Sequence, residues 1–329
     1  QTCALPICER VKCRVCRGPA VIDVRRHNAN FCVEHFLKLC RDQVAKAIHD
    51  HAMFERGDRV LVAVSGGKDS LALWDLLLDL DLDIEVGGLY VGLGIGEYSD
   101  ASLDHARAFA ARRDLDLLEV DLPTEYGYDI PDGSRAARRA PCSACGMSKR
   151  HVFDKAALDH GYDVLATGHN LDDEAAVLFG NVLRWQTDYL GRQQPVLPAR
   201  GGFPKKVKPL VRLGERETAA YCVVRGIDYL VEECPMAVGN RHLGYKEALD
   251  AIEATSPGTK HDFYFGFLSR VADHFAPEAE EDRAELVACA VCGAPTPTEV
   301  CAFCRLVERA GGTPKSGGPQ PVTLGRRSG

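Results

Sequence analysis

The sequence predicts an α/β protein: a doubly wound parallel sheet flanked by a small cysteine-rich module near each end. Three observations carry this expectation. Strands alternate with helices from residue 58 onward, the pattern of a parallel sheet covered on both faces. The hexapeptide Ser65-Gly66-Gly67-Lys68-Asp69-Ser70 lies between a β-branched run and an amphipathic stretch. The 14 cysteines fall in three clusters, of which the terminal two show paired CxxC spacing.

Composition narrows the class. The chain has 329 residues, 46% hydrophobic and 26% charged, which excludes a disordered chain, a collagen-like repeat and a long coiled coil. No apolar run approaches the roughly 18 residues that span a bilayer. No signal peptide is read, so a cytoplasmic location is expected, with neither membrane nor DNA as a partner. The net charge of −7, from 40 Lys+Arg against 47 Asp+Glu, argues against a globally basic nucleic-acid binder and leaves a locally basic one open. In a reducing compartment, paired cysteines read as metal ligands, redox groups or catalytic groups.

The elements follow in order. Residues 1–10 are expected to be a non-native extension: Gln1 to Ile7 back-translate to something like a sequencing-adapter read-through, which sets Cys3 aside and leaves Cys8 at a suspect start. A zinc-finger module is expected over 11–40, then a linker helix over 41–57 with Val44, Ala47, Ile48 and His51 on one face. The catalytic domain is expected over 58–276. Its first strand, 59–64, is a continuous apolar run from Val60 to Val64, as befits burial on both faces. Helices are expected at 69–80, 99–113, 143–160, 171–185, 214–225, 243–253 and 260–274. Strands are expected at 84–91, 115–120, 162–167 and 227–231. Residues 123–140 read as a polar loop. A four-cysteine zinc ribbon over 285–305 and a Gly/Pro/Ser-rich disordered tail over 306–329 complete the chain.

The hexapeptide has the physics of a phosphate site. Its glycines let backbone N–H groups close around an anion, and the following helix adds its N-terminal dipole. Ser65 and Ser70 can donate hydroxyl hydrogen bonds, and Asp69 can hold Mg²⁺ against a pyrophosphate. The Gly-to-Lys spacing is too short for a Walker A loop. The hexapeptide resembles the SGGxDS loop of the PP-loop N-type ATP pyrophosphatases, Rossmann-like proteins that cleave ATP between the α and β phosphates. On that resemblance Ala63, Ser65, Gly66, Gly67, Lys68, Asp69 and Ser70 would line the nucleotide site. Leu89 would lie at the adenine edge, with Gly168 in the segment Gly168-His169-Asn170-Leu171-Asp172-Asp173. Asp172 and Asp173 could equally cap the following helix.

The central cysteines leave three readings open. Cys142 and Cys145 begin a helix, where thiol pKa values are expected to be lowered, and Cys234 follows a later strand. They could be unrelated thiols, a dithiol that carries a persulfide, or three ligands of an Fe–S cluster with one iron left open. Lys149 shares a helical face with Cys145 and could reach a phosphate or the cluster's ligand; a solvated lysine is the plainer alternative.

The terminal modules carry zinc spacing. Cys13, Cys16, Cys32 and His35 form a set of three thiolates and one imidazole. Cys289, Cys292, Cys301 and Cys304 form a set of four thiolates. Both suit closed structural Zn²⁺ sites. His27 and Cys40 are nearby decoys, and Cys222 reads as core.

The combination resembles the TtuA-type tRNA 2-thiouridine synthetases, relatives of the archaeal and eukaryotic wobble-uridine thiolases, from Cys13 to Cys304. The resemblance implies an ATP-dependent tRNA sulfurtransferase acting on a uridine, and the Arg-rich composition leans toward the T-loop 5-methyluridine (position 54) over the wobble position. It implies an oxygen-sensitive 4Fe–4S cluster on Cys142, Cys145 and Cys234, whose open iron takes sulfide. Asp69, Lys149 and Asp173 would serve adenylation and ATP–Mg²⁺ positioning, and two zinc sites would help grip tRNA. It further implies a homodimer and a ubiquitin-like sulfur carrier with a C-terminal thiocarboxylate. Arg135, Arg138, Arg139, Arg150, Lys205, Lys206 and Lys208 could contact tRNA phosphates, though each alone reads as solvated surface.

Three rivals remain at this level. A tRNA cytidine thiolase would share the loop and cysteine triad, but such relatives generally lack the zinc modules. A small-molecule PP-loop ligase would have no use for three reactive thiolates. A non-enzymatic zinc-ribbon scaffold would have no use for an intact phosphate loop.

Overall fold

The computed structural model describes residues 11–275, 286–315 and 322–323; residues 1–10 and their expected foreign character lie outside them. A seven-stranded sheet forms the centre. Five parallel strands build it: β3 (Arg59–Val64), β4 (Glu85–Gly92), β5 (Leu117–Asp121), β6 (Val164–Thr167) and β8 (Lys205–Val207). The antiparallel strands β7 (Val196–Leu197) and β11 (Val322–Thr323) close its edges, giving the order β11-β5-β4-β3-β6-β8-β7. The chain runs outward from β3 to β5 and then crosses back to place β6 beside β3. Ligands bind at such a switch, beyond the carboxyl ends of the strands.

The sheet divides the core in two. Along β3, Val60, Val62 and Val64 join one apolar cluster, and Leu61 points into the other, as the two-residue period of a strand requires. The first cluster receives α1 (Val33–Asp50), α2 (Lys68–Asp79), α3 (Gly96–Arg113) and α9 (Glu215–Arg225). It also receives the N-terminal hairpin of β1 (Ile22–Val24) and β2 (Ala29–Phe31), through Ile22, Val24 and Phe31. The second cluster receives α6 (Pro141–Asp159) and the C-terminal ribbon, made of β9 (Val287–Ala288), β10 (Pro295–Thr296) and α12 (Ala302–Arg309). The two cysteine modules therefore pack on opposite faces.

The structure corrects several expectations. The linker helix begins at Val33, inside the finger module, because Phe36 and Cys40 continue its buried stripe. Residues 123–140 are largely helical: α4 (Leu122–Tyr126) and α5 (Ile130–Ala136) start at Asp121 and Asp129, whose carboxylates accept from the N–H of Thr124 and Asp132. The strand expected at 227–231 reduces to one bridge between Gly67 and Leu230, since this segment runs beside the loop beyond the end of β3. The tail is ordered at least to Lys315. Leu306 and Val307 close the ribbon core, the Thr313 N–H donates to the Tyr126 carbonyl at 2.9 Å, and Lys315 pairs with Glu125. Between these lie α7 (Leu171–Leu183), α8 (Thr187–Leu190), α10 (Arg241–Thr255) and α11 (Thr259–Arg270).

Candidate active site

The phosphate loop sits where β3 meets α2. Gly66 has φ +73°, and a Cβ there would stand 2.1 Å from the Ser102 carbonyl oxygen, so only glycine fits. Gly168, just past the end of β6, also packs tightly: its Cβ would meet the Asp69 and Ser70 backbone at 3.0 Å. Ser70 is buried, donates to the Gly67 carbonyl at 2.9 Å and accepts from the Ser65 N–H at 3.0 Å. Its hydroxyl thus helps shape the loop. Leu89 is fully buried between Ala63 on β3 and Leu118 on β5, so its side chain offers a nucleotide no surface.

Asp69 is held by three donors. Its Oδ1 accepts from Asn170 Nδ2 at 3.0 Å and Thr218 Oγ1 at 2.5 Å, and its Oδ2 from Lys68 Nζ at 3.0 Å. Lys68 also reaches Glu215 at 2.8 Å, and Lys246 joins Glu215 at 3.1 Å to Asp173 at 2.5 Å. Burial alone would raise the Glu215 carboxyl, but Lys68 and Lys246 overcome it and bring it to about 2. Burial alone would lower Lys68 and Lys246, yet their carboxylate partners push both well above the ordinary lysine range. The cluster gathers three carboxyl and two amino groups from α2, α7, α9 and α10.

Asp173 caps the helix that follows it and joins the charged cluster through Lys246. Its Oδ2 accepts from the Asn170 N–H at 3.2 Å, completing a capping box, while Oδ1 faces Lys246. Asp172 is structural: it accepts from the Glu215 N–H at 2.8 Å and pairs with buried Lys260. Sequence reasoning missed Asn170, Glu215, Thr218 and Lys246. Asn170 had a local signal, the Asn-x-x-Asp capping pattern; the other three converge through packing alone. A cavity of about 1180 Å³ opens beside the cluster, lined by Lys68, Asp172 and Glu215 and by Arg25 and Arg26 of the N-terminal hairpin. No central cysteine lines it.

The central cysteines are neighbours around the start of α6, though not drawn within 4.8 Å of one another as a set. Cys142 lies 3.7 Å from the Met236 carbonyl oxygen, and Asn240 Nδ2 donates to its sulfur at 3.7 Å. The turn after Cys234 thus packs on the CxxC helix, and Cys145, Cys234 and Tyr98 all border the second apolar cluster. Burial raises the Cys145 thiol, opposed by Lys149, and the neighbouring Cys234 and Cys142 raise it further. The expected lowering at a helix N-terminus is therefore overridden at Cys145. Leu230 donates to the Gly66 carbonyl at 3.0 Å, and Cys234 follows four residues later. Four residues span at most about 14 Å, so the Cys234 segment leaves the edge of the phosphate loop within that reach. Three thiols from two segments, with no disulfide among them, suit a multinuclear iron–sulfur group with one site left for a ligand.

Two terminal quartets, Cys13/Cys16/Cys32/His35 and Cys289/Cys292/Cys301/Cys304, bring all their ligand atoms within 4.8 Å of one another. Burial would raise Cys13, but the N–H groups of Cys16, Cys32 and Val15 bring it to about 6. At Cys289 burial is likewise outweighed, by the N–H groups of Cys292, Cys301 and Val291, again to about 6. Both sets fit a closed tetrahedral ion. His27 and Cys40 stand outside them, and Cys222 is core.

The expected tRNA-facing cations divide. Lys205 donates to the Ala52 carbonyl, Lys206 pairs with Asp154 and Lys208 with buried Glu174. These three are engaged within the fold: Lys206 on β8 and Lys208 just beyond it neutralise carboxylates, and Lys205 satisfies a backbone carbonyl. Arg135 pairs with Asp132, while Arg139 reaches only the Ser143 hydroxyl. Arg138, Arg139 and Arg150 form no ion pair among the described residues and remain available.

Comparison with known proteins agrees with this geometry. Residues 12–37 match the family described as 2-thiouridine synthetase TtuA, N-terminal LIM domain, and residues 37–236 match the PP-loop domain. A tRNA-5-methyluridine(54) 2-sulfurtransferase of Thermus thermophilus is 49% identical over 294 residues, covering 89% of this chain and 90% of its own. One of Pyrococcus horikoshii is 40% identical over 295 residues, covering 90% and 93%. The solved U34-tRNA thiolase NcsA of Methanococcus maripaludis, with its 4Fe–4S cluster, superimposes with a TM-score of 0.74. It is 25% identical and covers 90% of this chain and 95% of that one.

Proposed function

This chain belongs to the PP-loop tRNA 2-sulfurtransferases, and from that premise we propose that it replaces O2 of the T-loop 5-methyluridine at position 54 of tRNA with sulfur, consuming ATP. The position is the one named for its Thermus and Pyrococcus relatives. The observation that supports the reading is the Gly66–Leu230 contact, which ties the segment leading to Cys234 to the phosphate loop. A carbonyl oxygen is a poor leaving group. Attack of uracil O2 on the α phosphorus of ATP releases pyrophosphate and leaves O2 as an adenylate. A sulfur nucleophile then adds at C2, and AMP departs with the oxygen.

This chain's own residues supply the positioning. The loop N–H groups and Ser65 bind phosphate oxygens. Asp69, held by Asn170, Thr218 and Lys68, is oriented to take Mg²⁺. Asp173 and Lys149 complete the adenylation half. Cys142, Cys145 and Cys234 would hold a 4Fe–4S cluster, which supplies a bound sulfur nucleophile. The terminal quartets would hold two Zn²⁺ ions. The resemblance extends the proposal to a homodimer fed by a ubiquitin-like thiocarboxylate carrier and acting in the cytoplasm. No helix among the described residues is long and apolar enough to cross a membrane. The test is nucleoside mass spectrometry of tRNA incubated anaerobically with reconstituted protein, ATP, Mg²⁺ and sulfide. 5-Methyl-2-thiouridine supports the proposal. 2-Thiocytidine, a wobble 2-thiouridine alone, or AMP release without a thionucleoside overturns it.

A further inference from the structure

The far end of α7 carries a surface that the chemistry above does not use. Leu183, Trp185 and Tyr189 are 55%, 73% and 57% exposed. Single exposed apolar residues are ordinary; three large ones within seven positions are not. Trp185 also adopts φ +50°, a left-handed conformation that a bulky side chain rarely takes. It does so at the turn that ends α7, where its N–H donates to the Val182 carbonyl and the Gln186 N–H to the Asn181 carbonyl. The fold thus holds an indole in water at the cost of backbone strain. Neither the Trp185 nor the Tyr189 ring packs against another aromatic ring among the described residues.

The charge around these rings selects the partner. Arg184 and Arg192 flank them, neither in an ion pair among the described residues; Asp188 is the single carboxylate in the turn. On a chain of net charge −7, two arginines without an ion pair among the described residues, Arg184 giving only its Nε–H to the Gly180 carbonyl at 3.0 Å, stand beside two unstacked aromatic rings and form a local basic, stacking surface. A second copy docking this patch on itself about a twofold axis would set arginine against arginine. A polyanion whose bases present π-faces meets both features at once: the guanidinium groups take phosphates and the rings take unstacked bases. We propose that Leu183–Tyr189 and Arg192 form a tRNA-docking surface, in which Trp185 stacks on a splayed base. The proposal rests on the tRNA-thiolating reading above. The 13 residues of α7 rise about 20 Å from the Asp173 end to this turn, so the contact lies away from the reacting uridine and anchors the RNA body.

The chain's tryptophans provide the test. It has two, and Trp74 is fully buried, so acrylamide quenching of native emission reads Trp185. The quenching constant of the cluster-loaded protein is measured with and without saturating bulk tRNA, red-edge excitation avoiding base absorption. Filter binding is run in parallel on wild type, Trp185→Ala and Trp185→Phe. The expected result is that tRNA shields Trp185 from acrylamide. Trp185→Ala should bind tRNA roughly 5- to 150-fold more weakly, the range of one base–aromatic stack, and Trp185→Phe should restore most of that loss. Normal tRNA binding with Trp185 still open to acrylamide overturns the surface and leaves the tRNA reading standing. Shielding that is present without tRNA and vanishes on dilution assigns the patch to a second copy and overturns it too. No tRNA binding by wild type overturns both.

Discussion

Phe303→Ala tests whether the C-terminal ribbon is part of the catalytic scaffold. The Phe303 ring is 3% exposed. It stacks on His151 of α6 at 3.9 Å and 10°, and meets Tyr126 edge-on at 5.0 Å. Removing a buried phenyl ring typically costs about 3–5 kcal/mol, a large share of the roughly 5–15 kcal/mol that holds a domain folded. Cys301 and Cys304 flank Phe303 but keep their own sulfur–backbone contacts, 3.2 Å from the Cys301 N–H to Cys289 and 3.3 Å from the Cys304 N–H to Cys301. The quartet should therefore retain its metal while the ribbon loosens from α6. His151 lies six residues beyond Cys145 on that helix, so the loosening should reach the thiols. The assay is urea unfolding with hydrogen exchange across 141–159 and 286–315, and iron and zinc counted per chain. The expectation is a loss of about 3 kcal/mol or more, faster exchange in both segments, and iron falling before zinc. Wild-type exchange in 141–159 with stability changed by less than about 1 kcal/mol would refute the shared core.

Three further outcomes are expected. Asp69→Ala should keep tRNA binding and lose AMP formation, since the carboxylate fixed by Asn170, Thr218 and Lys68 is gone; wild-type AMP yield would remove Asp69 from the mechanism. Cys234→Ser, reconstituted anaerobically, should lose the broad brown absorbance; unchanged iron content would sink the cluster assignment. His151, whose burial and the nearby Lys155 lower its imidazole from the ordinary 6.5 to about 4, should make stability depend on pH. Its folded value lies below its unfolded one, so the unfolded chain takes the proton first. Stability is full above 6.5 and falls as the pH drops toward 4, by up to about 3 kcal/mol. His151→Phe should flatten that loss, and an unchanged pH profile of unfolding would show that His151 does not titrate in this window.

What was legible in the sequence was what neighbouring residues determine. The run 59–64 could only be a strand buried on both faces, and β3 is that strand. The Ser65–Ser70 hexapeptide and the two metal-type quartets were readable because turn geometry and ligand spacing are local. α4 and α5 were hidden by the Gly- and Arg-rich composition of 123–140, although Asp121 and Asp129, each two residues before a proline, are N-cap signals. Lys206 and Lys208 looked like solvated cations because nothing near them in sequence announces Asp154 or Glu174. Glu215, Thr218 and Lys246 were out of reach for the same reason: each reaches the site only when α9 and α10 fold against α2 and α7.

That contrast explains the placement of the two cysteine modules. The side chains that orient Asp69 come from separate helices, so the relative position of α2 and α9 must be fixed. The N-terminal hairpin helps fix it: Arg26 grips Glu217 through two hydrogen bonds, at 2.9 and 2.8 Å, and both side chains are almost wholly buried. Glu217 lies between Glu215 and Thr218 on α9, so the hairpin braces the helix that supplies two of the cluster's residues. On the opposite face Phe303 grips α6, the helix that supplies Cys142 and Cys145. Each module thus steadies one half of the site, the first the helices around the phosphate loop and the second the helix of the CxxC thiols. A buried ion pair is weak evidence for net stability, but removing one partner leaves an uncompensated charge. Arg26→Met should therefore disturb Asp69-dependent AMP formation while leaving iron retention at the cysteines intact. Phe303→Ala should do the reverse, and equal losses of both activities in both variants would show that the modules do not act on separate halves.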